Sequence, residues 1–226
     1  MAAGKGERML HLTRNRPKAL IEISGKYLIS YTLEQIRRRS ERIFITVGDK
    51  GNQVMDFMST QGEFHFIRTD GKGNAWWIYN SILKEVDEPV LVFPCDIITR
   101  IDFDFICRNY QKSGFPVCLL IPVATDERIE GDYIFGEYGK VTFLSRNRAS
   151  PIYCSGIQVI NPYRTTRITG TGIDDFSDLW NWLIEKDQLY YSDIYPYRWF
   201  SVNTPEQLKT AEKILSVQKD SPCTFT

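Results

Sequence analysis

Apolar residues fall along this chain in two rhythms. Compact runs of β-branched and apolar residues at Arg42–Val47, Phe64–Ile67, Pro89–Pro94 and Pro116–Val123 predict buried strands. Ile152–Ile160, Leu189–Ile194 and Arg198–Val202 predict three more. Between them, apolar positions recur every three or four residues. Lys26–Arg39 carries Leu28, Ile29, Leu33 and Ile36 on one stripe, and Asp174–Lys186 carries Phe176, Leu179, Trp180 and Leu183. Gly51–Ser59 and Ala75 to about Glu85 read as further helices, as does the stretch through Gln111, capped and charged in its first turn by Asp102 and Asp104. Tyr133–Glu137 and Lys140–Leu144 flank Tyr138-Gly139, which predicts a β-hairpin. A last helix starts at Thr204-Pro205-Glu206-Gln207, where a Thr cap, a Pro in the first turn and a Gln three residues on coincide; Leu208, Ala211 and Leu215 form its stripe. Strands separated by helices of this length imply parallel βαβ units. The expected fold is α/β: a doubly wound, mostly parallel (Rossmann-like) sheet with helices on both faces and a small hairpin insertion.

Composition narrows the class. At 226 residues the chain fits one large α/β domain, residues 1–226, better than two small ones. Basic and acidic residues balance at 28 each, so the charge excess typical of nucleic-acid or membrane-surface binding is absent. The basic run Arg37-Arg38-Arg39 reads as a solvated helix end. No apolar run approaches a membrane span. Cys95, Cys107, Cys118, Cys154 and Cys223 lack a Cys-x-x-Cys pair, which predicts reduced thiols in a cytoplasmic protein rather than a zinc site or disulfide framework. His11 and His65 stand far apart and read as structural or surface residues.

Three places carry chemistry. In Met1-Ala-Ala-Gly-Lys-Gly-Glu-Arg8, two glycines one residue apart let the backbone turn with its amides facing one hollow, which suits an anionic phosphate chain. Arg8 and Lys18 add a planar fork and a point charge. A Gly-x-Gly near a chain end is also, taken alone, an ordinary loop. Asp96 follows the strand Pro89–Pro94, and ligands of open α/β sheets bind beyond such strand ends; one or two carboxylates suffice for Mg²⁺, which keeps several waters. Asp70-Gly71-Lys72-Gly73-Asn74-Ala75 leads from a strand into a helix, where Asn74 suits a base or sugar contact and equally an ordinary helix cap. Of the adjacent Trp76 and Trp77, at most one can face such a site, because neighbours on a helix point about 100° apart.

The joint pattern AAGKGERM, Leu12-Thr13 and Pro17-Lys18-Ala19-Leu20 resembles the signature of the sugar-nucleotide pyrophosphorylases, a nucleotidyltransferase family. The likeness runs on through Glu22-Ile23-Ser24-Gly25-Lys26 and, in pieces, to about Leu215. In that family an apolar strand precedes the Ala-Ala-Gly, so Met1 looks internal to a first strand that is cut short. The resemblance implies Mg²⁺-dependent transfer of a nucleoside monophosphate from a nucleoside triphosphate to a sugar 1-phosphate, with release of pyrophosphate. It implies that Ala3, Gly4, Lys5, Gly6, Gly73 and Asn74 bind the nucleotide, that Arg8, Lys18 and Asp96 are catalytic, and that Asp96 also holds the metal.

The acceptor half departs from the family pattern. Ser145-Arg146-Asn147-Arg148 stands where the family has Glu-Lys-Pro, leaving Arg146 or Arg148 as the replacement cation. Cys95 stands for a Gly and Asn74 for a Thr-like residue. Ser201 stands where a second metal-binding Asp is expected, with Asn203 next to the Thr204 cap. Ser155-Gly156-Ile157 resembles the family's glycine strand, where a substrate approaches the backbone, and is equally a bulge; Gly156 and Arg146 are the expected acceptor contacts. Gly170-Thr171-Gly172 reads as a loop over that pocket and Gln218–Thr226 as a frayed end. Two alternatives stay open: a cytidylyltransferase for a non-sugar phosphate such as phosphocholine, and a non-catalytic nucleotide-sugar-binding regulatory protein. Nucleic acid and membrane are not expected partners.

Overall fold

The computed structural model describes residues 1–40, 42–125, 131–170 and 172–220. The strands are β1 (Glu22–Ile23), β2 (Lys26–Tyr27), β3 (Phe44–Val47), β4 (His65–Arg68), β5 (Val90–Val92), β6 (Ile97–Thr99), β7 (Cys118–Ala124), β8 (Tyr133–Glu137), β9 (Lys140–Ser145), β10 (Ile152–Ile160), β11 (Leu189–Tyr191) and β12 (Trp199–Ser201). The helices are α1 (Leu28–Ile36), α2 (Gly51–Ser59), α3 (Trp77–Asn80), α4 (Phe103–Lys112), α5 (Pro162–Thr169), α6 (Phe176–Glu185) and α7 (Pro205–Asp220), with 3₁₀ turns at Glu7–Thr13, Lys18–Leu20 and Ile82–Glu85. The chain divides into two compact units, each built from separated segments. Residues 1–71, 95–101 and 198–226 make the first, and residues 72–94 and 102–197 the second.

In the first unit β3, α2 and β4 form the expected parallel βαβ pair, with Phe44 opposite His65 and Val47 opposite Arg68. Ile45, Thr46 and Val47 are all buried, as a strand covered on both faces requires. Ile45 and Val47 pack with Ile29 and Leu33 of α1 and with Val54 and Met58 of α2. A second cluster joins Met9, Ile21, Ile23, Leu28, Ile98, Val202 and Ala211, with Leu208 and Leu215 partly buried against it, so the stripe predicted on α7 does face a core.

The second unit holds a six-stranded mixed sheet in the order β5-β10-β7-β11-β9-β8. Its β11–β7 pair is parallel, whereas β10 runs antiparallel to both β5 and β7. The predicted hairpin is β8–β9, with Tyr138 and Gly139 both at positive φ in its turn. The stripe predicted on α6 is buried along Phe176, Leu179, Trp180 and Leu183.

Several boundaries differ from the predicted ones for local reasons. The helix predicted from Lys26 starts at Leu28, because Lys26-Tyr27 pairs back on Glu22-Ile23 through Ser24 and Gly25, both at positive φ. The helix predicted from Ala75 to Glu85 breaks at Ser81, which turns extended and whose Oγ accepts from the Leu83 amide to start a separate turn. The predicted strand Pro89–Pro94 contracts to Val90–Val92. Among the strands and α-helices, β1, β6 and α5 had no counterpart in the predicted set. Thr171 of the predicted Gly170–Gly172 loop, and residues 221–226 of the predicted frayed end, lie outside the described residues. Gly170 itself closes α5 in the left-handed conformation.

Candidate functional site

The amino-terminal loop is set by its neighbour β3. The Ala2 amide donates to the Thr46 carbonyl at 3.0 Å, and Ala2 bridges Val47 in parallel register. Gly48, just after β3, has no room for a side chain, since a Cβ there would stand 2.5 Å from the Ala3 carbonyl oxygen. Ala3 is half-buried, while Gly4, Lys5 and Arg8 are exposed, with open space around Gly4. Gly6 turns the loop at φ 67°, a left-handed value. Its carbonyl accepts from the Met9 amide at 2.9 Å and from the Thr13 hydroxyl at 3.0 Å, so the Leu12-Thr13 motif locks the glycine turn. A Cβ on Gly6 would come within 3.0 Å of Cβ of Lys18, which places the Lys18 stem directly beside the loop.

Lys18 opens the short 3₁₀ turn after Pro17 and is only 8% exposed. Its ammonium donates to the Asp96 carboxylate and, at 2.7 Å, to Oδ1 of Asn203. Asp96 stands immediately before β6, and β6 runs antiparallel to β12 with Ile97 opposite Ser201. That register continues one step further, as the Val202 amide donates to the Asp96 carbonyl at 2.8 Å. Asn203, just beyond β12, is the residue that follows Val202 beside Asp96. Its backbone is held in turn by α7: the Asn203 amide donates to Oε1 of Gln207 at 2.7 Å, and the Gln207 amide donates to the Thr204 hydroxyl. This is the capping arrangement predicted at Thr204-Pro205-Glu206-Gln207. Burial, followed by the neighbouring Asp96 charge, pushes the Cys95 thiol up to about 11, so it stays a protonated packing residue.

Asn203 is the residue that sequence reasoning missed. The expectation placed the second metal position at Ser201, but Ser201 is a strand residue paired with Ile97. The oxygen that converges with Asp96 comes from Asn203, two residues on. The signal was available in sequence, since Asn203 directly precedes the helix cap. Its partner could be found only from the β6–β12 pairing.

A divalent cation needs hard oxygens converging on one point. Asp96 and Asn203 supply a carboxylate and a carboxamide oxygen that already converge on one cation, the Lys18 ammonium. The donor set fits Mg²⁺. Among the described residues no group of three or more His, Cys, Asp or Glu side chains is placed to hold a metal ion, here or elsewhere. His65 stacks on Phe44, a structural role as expected.

The expected residues of the second unit are engaged within that unit. Gly73 packs against the Asp174 carbonyl, where a Cβ would clash, and the Ala75 amide donates to that same oxygen at 2.7 Å. Oδ1 of Asn74 accepts from the Phe176 amide at 2.7 Å, so Asn74 caps α6, a helix remote in sequence, instead of the one it precedes. Trp77 is buried and Trp76 half-buried. Gly156 sits at φ 82° where β10 shifts register, and Pro94 fills its side-chain space at 2.6 Å from a Cβ position. It is a bulge glycine. Arg146 holds Asp132 through Nε at 3.0 Å and Nη2 at 3.4 Å, and this pairing raises the guanidinium pKa further. Arg148 lies over the Phe135 ring at 4.8 Å.

Comparison with known proteins adds four matches. The sequence profile of the MobA-like NTP transferase domain matches residues 1–164. The bifunctional protein GlmU of Methanocaldococcus jannaschii is 25% identical over 226 residues, covering 95% of this chain and 53% of that protein. The chain thus spans about half the length of that relative. The N-acetylmuramate alpha-1-phosphate uridylyltransferase of Caulobacter vibrioides is 26% identical over 197 residues, covering 77% of each chain. The structure of a UDP-glucose pyrophosphorylase complexed with UDP-glucose superposes with a TM-score of 0.78 at 17% identity, covering 96% of this chain and 97% of that one. That likeness places this protein among Rossmann-like α/β folds. Among the described residues no helix is long and apolar enough to cross a membrane.

Proposed function

The chain belongs to the MobA-like NTP transferase domain family, and from that premise we propose that it transfers a nucleoside monophosphate from a nucleoside triphosphate to a sugar 1-phosphate. The observation that carries this reading is the buried Lys18 ammonium, held by Asp96 and Asn203 with its stem beside the Gly6 turn. A phosphate oxygen of the acceptor forms a bond to the α phosphorus. The bond from that phosphorus to the β-phosphate oxygen breaks, and pyrophosphate leaves with the electron pair. Such chemistry is mostly positioning and charge stabilisation, and calls for no side-chain nucleophile.

Placement supports the following roles. Ala3, Lys5 and the amides of Gly4 to Gly6, with Arg8, hold the β and γ phosphates from an exposed turn. Lys18, whose nitrogen is already inside this unit, neutralises negative charge as it grows on the reacting phosphate. Asp96 and Asn203 hold Mg²⁺, which when bound supplies Lewis-acid polarisation of phosphoryl oxygens. Gly73 shapes the nucleotide side of the second unit, where Asn74 has one Oδ1 lone pair committed to α6 and its Nδ2 available for a base. Acceptor contacts remain assigned to Gly156, through its backbone, and to Arg146, which meets a phosphate only by sharing or leaving Asp132. The setting is cytoplasmic.

The protein is incubated with each of the four triphosphates, Mg²⁺ and a panel of phosphorylated acceptors, and pyrophosphate is measured. Release that depends on a sugar 1-phosphate, lowered at least about tenfold in Lys18→Ala and Asp96→Ala, is the expected result. Release with CTP and phosphocholine alone establishes the cytidylyltransferase, the alternative kept open by the loss of the Glu-Lys-Pro segment at Ser145–Arg148. Binding without release across the panel establishes the regulatory protein and rejects catalysis.

A further inference from the structure

Two oxygens from distant parts of the chain meet at one cationic nitrogen in the first unit. One is the carboxylate of Asp96, the other Oδ1 of Asn203 at 2.7 Å, and the nitrogen is Nζ of Lys18. The side chain of Lys18 is 9% exposed and that of Asp96 24%. Little water is therefore left to satisfy the Lys18 ammonium, which depends on those two oxygens. These are the same two oxygens that fit a divalent cation. An ammonium and a divalent cation cannot both take them at close range, because lone pairs given to one are lost to the other and the two cations repel.

We infer that Lys18 is an exchangeable stand-in for the metal: in the free protein its ammonium fills the cation position, and metal binds there only when Lys18 leaves. This rests on the metal and phosphate roles proposed above. The side chain has a destination. Its stem lies against the turn at Gly6, its Cβ filling the space that a side chain there would need, so a phosphate chain in that loop offers the released ammonium a new set of acceptors. Nucleotide thus draws Lys18 off Asp96 and Asn203 and opens the oxygens to metal. Binding of the two ligands is coupled, and by linkage the coupling is reciprocal. In the absence of nucleotide the pairing also keeps a partly buried carboxylate from standing alone.

The test is direct binding of Mn²⁺, a spectroscopic substitute for Mg²⁺, followed by electron paramagnetic resonance without any turnover. The variants are Lys18→Ala and Lys18→Met, the second keeping the volume of the stem, and circular dichroism reports that each is folded. Without nucleotide, both bind Mn²⁺ at least about 10-fold more tightly than the native protein, within the usual range of coupling between sites. With a non-hydrolysable triphosphate analogue the native protein gains affinity and the difference narrows. Asp96→Asn removes binding in either condition. Equal or weaker Mn²⁺ binding by both Lys18 variants overturns the inference while leaving the metal role of Asp96 intact. Failure of the native protein and of every variant to bind Mn²⁺, with or without the analogue, rejects the metal role and the exchange together; pyrophosphate release, measured separately, then decides the remainder of the functional proposal.

Discussion

Gly6 is the residue on which the phosphate loop turns, and its constraint is twofold. It needs a left-handed backbone, and it needs no side chain, because Cβ of Lys18 and Cγ2 of Thr13 each stand 3.0 Å from where a Cβ would be. Gly6→Ala therefore loses stability by about 1–2 kcal/mol from backbone handedness alone, and pushes on Lys18 as well. The expected outcome is a lower melting temperature together with a raised KM for the triphosphate; unchanged values of both reject the loop as the phosphate cradle. Gly6, Lys18 and Asp96 each stand in a local motif that singles them out in sequence, and the structure brings the last two into contact. Asn203 was not legible in this way, since what makes it matter is Asp96, more than a hundred residues earlier, brought alongside by β6 and β12.

Among the elements, capping ties separate stretches together. The Thr204 cap with Gln207 could be read directly, because a capping box is contained in four residues. The same kind of signal marks α5, where Oδ1 of Asn161 accepts from the Arg164 amide, Pro162 follows and Gly170 ends the helix, yet the sequence reading places no helix between Ile160 and Asp174. Asn74 shows the limit of the method. A cap was one of its two expected roles, but the helix it caps begins at Phe176, and no local pattern carries that pairing. Asn74→Ala removes the acceptor and is expected to destabilise the protein by about 0.5–2 kcal/mol, and Asn74→Asp to retain most of it. Thermal denaturation distinguishes them, since about 1 kcal/mol moves the midpoint of a protein this size by roughly 2–4 °C. Equal melting of both variants with the native protein rejects the cap.

At the scale of the whole molecule, the parallel βαβ rhythm described β3, α2 and β4 well, because a continuous apolar run reports burial on both faces. It described the second unit less well. The order β5-β10-β7-β11-β9-β8 is set by pairings between strands far apart in sequence, and hydrophobic period carries no information on which strands meet or in which direction. The chain passes between its two units at residues 71/72, 94/95, 101/102 and 197/198. The third unit-1 segment begins only at Arg198, yet it brings Asn203 to Lys18. The family profile ends at residue 164, so this part of the site lies outside the matched region and stands on geometry alone. The most direct measurement of the central claim follows the α phosphorus. A triphosphate radiolabelled at that atom is incubated with Mg²⁺ and a sugar 1-phosphate, and the products are separated. The account predicts label in a nucleoside diphosphate sugar and unlabelled pyrophosphate, with transfer lost in Lys18→Ala and Asn203→Ala that remain folded. Label remaining in a nucleoside diphosphate while inorganic phosphate appears, or transfer undiminished in both variants, would contradict it.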